Sequence, residues 1–144
     1  FSFCWYQFYK FLFIFTNRWR NEVNDLETFS IGILVMLNAS HNDSFRVKDL
    51  NLRAYQKSIQ GSDERGINAM SIAEITGIPR PTVVRKLKFL INSGFLHINE
   101  KKLISINIKG LALSKSQKLQ DQNMLSLSNF IFRVFNQIKV ININ

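Results

Sequence analysis

Within nine residues the chain places Arg80, Pro81, Thr82, Arg85, Lys86 and Lys88, and a short way on come Lys101 and Lys102. These side chains suit one chemistry above others, the recognition of a polyanion that carries sequence information. A guanidinium forks onto guanine O6 and N7, a threonine meets phosphate or a thymine methyl, and an ammonium neutralises phosphate. At about 100° per residue, Pro81, Arg85 and Lys88 lie opposite Val83, Leu87 and Leu90. Thr82 and Val84 fall on the flanks, and Arg80 and Lys86 at the edges. The outward sector of this helix is basic and holds no acid. From Gly77 to Lys109 there are seven basic residues against a single acid, Glu100. That stretch, under a quarter of the chain, carries about two-thirds of the formal charge of +9. This is the electrostatic footprint of a nucleic-acid-reading face.

Several elements must hold those groups in place. Ser71 and Glu74 have the spacing of a capping box, which predicts a short helix starting at Ser71 and carrying Ile72, Ala73 and Ile75. Ala73 is small enough for a close helix crossing. Gly77 then stops the helix in a left-handed turn, and Ile78 plugs the space between this helix and the next. Pro79 and Pro81 are tolerated only in a first helical turn, so a second helix is expected over about 79–92, closed by Ser93 and Gly94. Phe95–Ile98 and Leu103–Ile106 are β-rich runs separated by Asn99–Lys102, which reads as a hairpin with Lys101 and Lys102 at its tip.

On either side the sequence predicts more helix. Residues 1–15 hold nine aromatics, and Phe1, Trp5, Phe8, Leu12, Phe15 and Trp19 follow helical spacing. Such a helix, apolar nearly all round, is expected to be buried, and a subunit interface is the burial preferred. Lys10 and Gln7, together with its short length, argue against a membrane span. A second helix is expected over Asp25–Leu37 with Asp25 as its cap, and a shorter one over Val47–Ile59. His41–Ser44 and Gly61–Gly66 read as connections. After the hairpin, two helices are expected, over Gly110–Gln122 and Ser126–Ile138. Leu127, Ile131, Val134 and Ile138 form the stripe of the second, with Phe130 and Phe135 beside it. The length fits one domain, divided into N-terminal helices to residue 60, a central reading segment over 66–109 and C-terminal helices over 110–144.

Other chemistries find little support. Cys4 is the single cysteine, and His41 and His97 stand apart from any ligand partner, so neither a disulfide nor a metal site is expected. The chain shows no Gly-rich phosphate loop, nucleophile elbow or carboxylate pair in a suitable setting. An enzyme is therefore not expected, nor any cofactor. The cysteine usage points to a reducing compartment, the cytoplasm.

The run from Ser71 to Leu96, SIAEITGIPRPTVVRKLKFLINSGFL, resembles the winged-helix core of bacterial transcription regulators of the MarR type, and secondarily of the IclR type. Thr82 and Val83 match the opening of the recognition helix, Leu87, Leu90 and Gly94 its packing and exit. Asn107–Gly110 is similar to the segment joining wing to next helix in MarR-like proteins. The resemblance covers about 45 residues of the chain. It implies a mainly α fold with a small β-hairpin wing over 95–106, a winged helix-turn-helix flanked by helices. It further implies a homodimer joined through its terminal helices that reads double-stranded DNA in successive major grooves. A small-molecule effector between the dimer helices and the winged core is a further partner that this layout leaves room for. The helix expected near Val47–Ile59 departs from the plainest MarR layout. A reading of another class is a protein-interaction or membrane-associated scaffold module that uses the aromatic N-terminal helix.

Overall fold

The computed structural model describes residues 2–40 and 66–138. The helix expected over Val47–Ile59, His41 and the connection leading to Gly66 lie outside the described residues. Among the described residues there are five helices and one two-stranded antiparallel hairpin: α1 (Ser2–Val23), α2 (Leu26–Ser40), α3 (Ala69–Thr76), α4 (Arg80–Asn92), β1 (Leu96–Ile98), β2 (Ile104–Ile106) and α5 (Leu111–Ile138). Read from its sequence as one domain, the chain divides into two compact units. One holds residues 1–24 and 115–144, the other Asp25–Ser114.

The first unit pairs α1 with most of α5. The rings of Phe11 and Phe130 stack at 5.5 Å and 15°, and Phe8 meets the same ring at 6.1 Å. Farther along, Arg18 Nη1 donates to three acceptors on α5: the Gln122 carbonyl at 2.9 Å, Asn123 Oδ1 at 3.0 Å and Ser126 Oγ at 2.8 Å. One expectation changes here. The two predicted C-terminal helices are one continuous helix, because Asn123–Leu125 contains neither glycine nor proline and the Asn123 side chain is engaged by Arg18 rather than by its own backbone. Within the single chain the aromatic helix is not covered all round. Tyr6, Tyr9 and Phe13 are 61–68% exposed, as are Phe132 and Phe135 of α5 to a similar degree. Of the predicted stripe of α5, Leu127 and Val134 are half-buried and Ile131 is exposed; of the two rings beside it, Phe130 faces α1 and Phe135 is exposed.

The second unit begins where α1 ends. Asn24 takes a left-handed conformation (φ 64°), which asparagine tolerates better than most residues, and Asp25 starts the next helix as expected. Asp25 Oδ1 accepts from the Thr28 amide at 2.8 Å. Although the sequence assigned α2 to the N-terminal segment, it packs on α3, α4 and β2. Its Ile31 and Val35 join Ile72 of α3, Val83, Leu87 and Leu90 of α4, and Leu96, Ile104 and Ile106 of the hairpin in one apolar core. Ile67 bridges β2 by two backbone hydrogen bonds to Ile104, at 3.0 and 2.9 Å. Gly66 is required beside it, because a Cβ there would lie 2.7 Å from Leu103 Cβ and 2.9 Å from the Ile104 carbonyl oxygen.

Candidate nucleic-acid interface

The turn between α3 and α4 aims the charged helix. Asn68 begins α3, its Oδ1 accepting from the amides of Met70 and Ser71 at 3.0 and 2.9 Å. The predicted capping box at Ser71 and Glu74 is therefore corrected. An asparagine three residues earlier offers the better acceptor, Ser71 lies inside the helix and Glu74 is exposed. Gly77 ends α3 with φ 70° and donates to the Ala73 carbonyl at 2.9 Å, as its position predicted. Thr76 reinforces the turn, its hydroxyl donating to the Ile72 carbonyl at 2.7 Å and accepting from the Ile78 amide at 3.3 Å. Ile78 is half-buried, in keeping with its role as a plug. The Pro79 carbonyl then accepts from Thr82 and Val83 at 2.8 and 3.0 Å, starting α4.

Proline has no side chain that can cap, and the first turn of α4 holds no acid. The positive end of the helix dipole is therefore left uncompensated beside Arg80, a setting that favours an anion. Along α4, Val83, Leu87 and Leu90 are buried, while Arg80, Pro81, Arg85 and Lys88 are exposed and Thr82 is half-buried. Val84 is 38% exposed beside them. Phe89 is half-buried.

Lys86 is the exception among the predicted site residues. Its side chain is buried, and its ammonium donates to Asp25 Oδ2 at 2.7 Å and lies 3.2 Å from Glu27 Oε2. The group placed at the edge of the anion-facing sector thus turns inward to the start of α2. Hydrogen bonding to Asp25 holds the Lys86 ammonium above its ordinary pKa, against the opposing effect of burial, with Glu27 adding to the rise. Burial pushes Asp25 upward, but hydrogen bonds from Lys86 and from the Thr28 amide and hydroxyl outweigh it and hold the carboxyl below its ordinary value. Asp25 was legible as a helix cap. Its second role, across 61 residues of sequence, leaves no local signal, and neither does that of Glu27.

The hairpin follows α4 after Gly94, which takes φ 79°. Its register pairs Leu96 with Ile106, His97 with Ser105 and Ile98 with Ile104. The tip is built by Asn99, whose Oδ1 accepts from the Leu103 amide at 2.9 Å, and by Lys102, which adopts φ 59° and donates its amide to the Asn99 carbonyl. Lys101 and Lys102 are both exposed there. Arg80, Arg85, Lys88, Lys101 and Lys102 form no ion pair with another described residue. Their charges are available to an outside partner.

Elsewhere, a shallow apolar hollow of about 270 Å³ in the first unit is lined by Cys4, Trp5, Phe8, Phe130 and Val134. Among the described residues no group of His, Cys, Asp and Glu is placed to hold a metal ion, and no helix is long and apolar enough to cross a membrane. Comparison of the chain with family models, with curated proteins and with solved structures finds no match.

Proposed function

We propose that this chain is a sequence-specific DNA-binding transcriptional regulator of the winged helix-turn-helix kind, similar in plan to MarR-type proteins. In this reading α4 is the recognition helix and enters the major groove, and the hairpin is the wing, set on the backbone or in the minor groove. One observation carries the proposal. Arg85 and Lys88 project from the side of α4 opposite its buried Val83–Leu87–Leu90 stripe, Arg80 is exposed at the edge of that sector, and the next element exposes Lys101 and Lys102. The roles divide by chemistry. Arg85, at the centre of the outward sector with Pro81 and Lys88 near it, reads a base edge. Arg80, Thr82 and the two tip lysines hold phosphate.

The regulator acts in the cytoplasm as a homodimer, without catalytic activity. Two stripes support self-association through α1 and α5: Tyr6, Tyr9 and Phe13 on one, Met124, Ile131 and Phe135 on the other, all exposed in the single chain. The same exposed aromatics favour a second reading, a protein-interaction or membrane-associated module. Sedimentation with and without anionic vesicles separates the two, since a dimer that ignores vesicles supports the first. The test of DNA binding is a titration of labelled duplex at several salt concentrations. A duplex selected by the protein from a random pool is compared with a scrambled one. Preference for the selected duplex is expected, with a steep fall of affinity as salt rises. Failure to bind either duplex at low salt defeats the proposal.

A further inference from the structure

The Lys86 cluster is an odd use of a core position. Position 86 is 8% exposed and flanks the apolar seam of α4 against α2, where an apolar side chain is the simplest occupant. The chain instead places an ammonium there and brings two carboxylates to it from the first turn of α2 and its cap. Asp25 and Glu27 remain 47% and 53% exposed, so water screens the pair and its contribution to stability is small. Two other consequences follow from the geometry. To the apolar contacts of Val83, Leu87 and Leu90 the buried Lys86 adds a directional one, a 2.7 Å hydrogen bond to the start of α2, which favours one rotation of α4 about its axis. A turn of about 10° carries a group ~6 Å from the axis through about 1 Å, enough to spoil a bidentate contact from Arg85. The cluster also holds two carboxylates against one ammonium. It removes a cation from α4 and leaves a negative charge at that edge, which repels phosphate.

We propose that the Asp25–Lys86–Glu27 cluster is a specificity element of the reading face. It fixes the rotation of α4 on α2, and it withholds Lys86 from the DNA backbone so that sequence-independent binding stays weak. Asp25 and Glu27 are positioning residues that act through Lys86. The inference rests on the DNA-binding reading of α4.

The test compares wild type with Asp25→Asn/Glu27→Gln, Lys86→Met and Lys86→Arg, on the selected and scrambled duplexes over a range of salt. Asparagine at 25 keeps an acceptor for the Thr28 amide, and Asp25→Asn alone serves where the double variant melts early. Releasing Lys86 through the double variant is expected to steepen the salt slope by about 0.9, one added phosphate contact. It should raise affinity for scrambled duplex roughly eight-fold near 0.1 M salt and narrow the preference for the selected duplex. Lys86→Met is expected to weaken selected-duplex binding with the salt slope unchanged, and Lys86→Arg to restore it. A slope reduced by about 0.9 in Lys86→Met would show that Lys86 already holds phosphate and overturn the proposal. So would a double variant that matches wild type on scrambled duplex. Wild-type protein that binds neither duplex removes the DNA-binding reading itself, a result distinct from either of these.

Discussion

Asp25 closes two contacts at once: one carboxylate oxygen takes the Thr28 amide at 2.8 Å, and the other takes the Lys86 ammonium at 2.7 Å. The cap of one helix is thereby the anchor of another. Asp25 has a lowered pKa in the fold, so its contribution is present above the ordinary carboxylate value of about 4 and is lost as pH falls through the lowered value. Lys86 has a raised pKa, so its contribution is present below the ordinary lysine value of about 10.4 and is lost as pH rises through the raised one. Asp25→Asn is therefore expected to lower the melting temperature across the neutral range. The gap from wild type should shrink below about pH 4 and again above about pH 10.4. Thermal melts followed by circular dichroism across pH measure this, and a gap that widens in acid contradicts the pairing.

The start of α3 gives a second prediction. Asn68 satisfies two amides, while Ser71 sits within the first turn of the helix. Asn68→Ala is expected to cost about 1 kcal/mol in urea unfolding, and Ser71→Ala to have only a slight effect. The reverse ranking would restore the capping box at Ser71.

In the other unit, Arg18 joins α1 to α5 through three acceptors, one of them on the buried Asn123. Asn123 Nδ2 is already buried without a partner. Arg18→Met keeps an unbranched apolar stem and strands Asn123 Oδ1 as well, at a cost of about 1–3 kcal/mol. Denaturant unfolding reads this. A value within error of wild type would mean that the aromatic contacts alone join the two helices.

On the proposed reading face, Arg85→Ala is expected to cost about 1–3 kcal/mol on the selected duplex and to relax its sequence preference. Lys101→Ala with Lys102→Ala should weaken all duplexes and reduce the salt slope by about 1.8. Equal losses on selected and scrambled DNA would recast Arg85 as a phosphate contact, and an unchanged slope would place the hairpin tip off the backbone.

Local rules made the central elements legible. Gly77 and Pro79 mark their turn because the backbone there admits few other residues, and the hairpin shows itself by two β-rich runs around a polar tip. Arg85 and Lys88 read correctly as outward because helical spacing alone decides the matter once Val83, Leu87 and Leu90 are inside. Lys86 read wrongly because its direction depends on Asp25 and Glu27, whose distance in sequence hides their nearness in space. The unbroken α5 was missed for a related reason. Asn123 looks like a helix breaker until Arg18 supplies the contact that occupies it.

The hairpin is only three residues on each side, with β2 covered by β1 on one edge and by Ile67 on the other. Among the described residues β1 has no further strand beside it, and its Ile98 is half exposed. An open edge of this kind is a template for pairing with a neighbouring chain, and its brevity is the safeguard. Lengthening the arm with alternating apolar residues, as an engineer might to extend its reach, would therefore trade solubility for span. Extra length belongs in the turn after Asn99, where charge and a left-handed backbone already resist stacking between molecules.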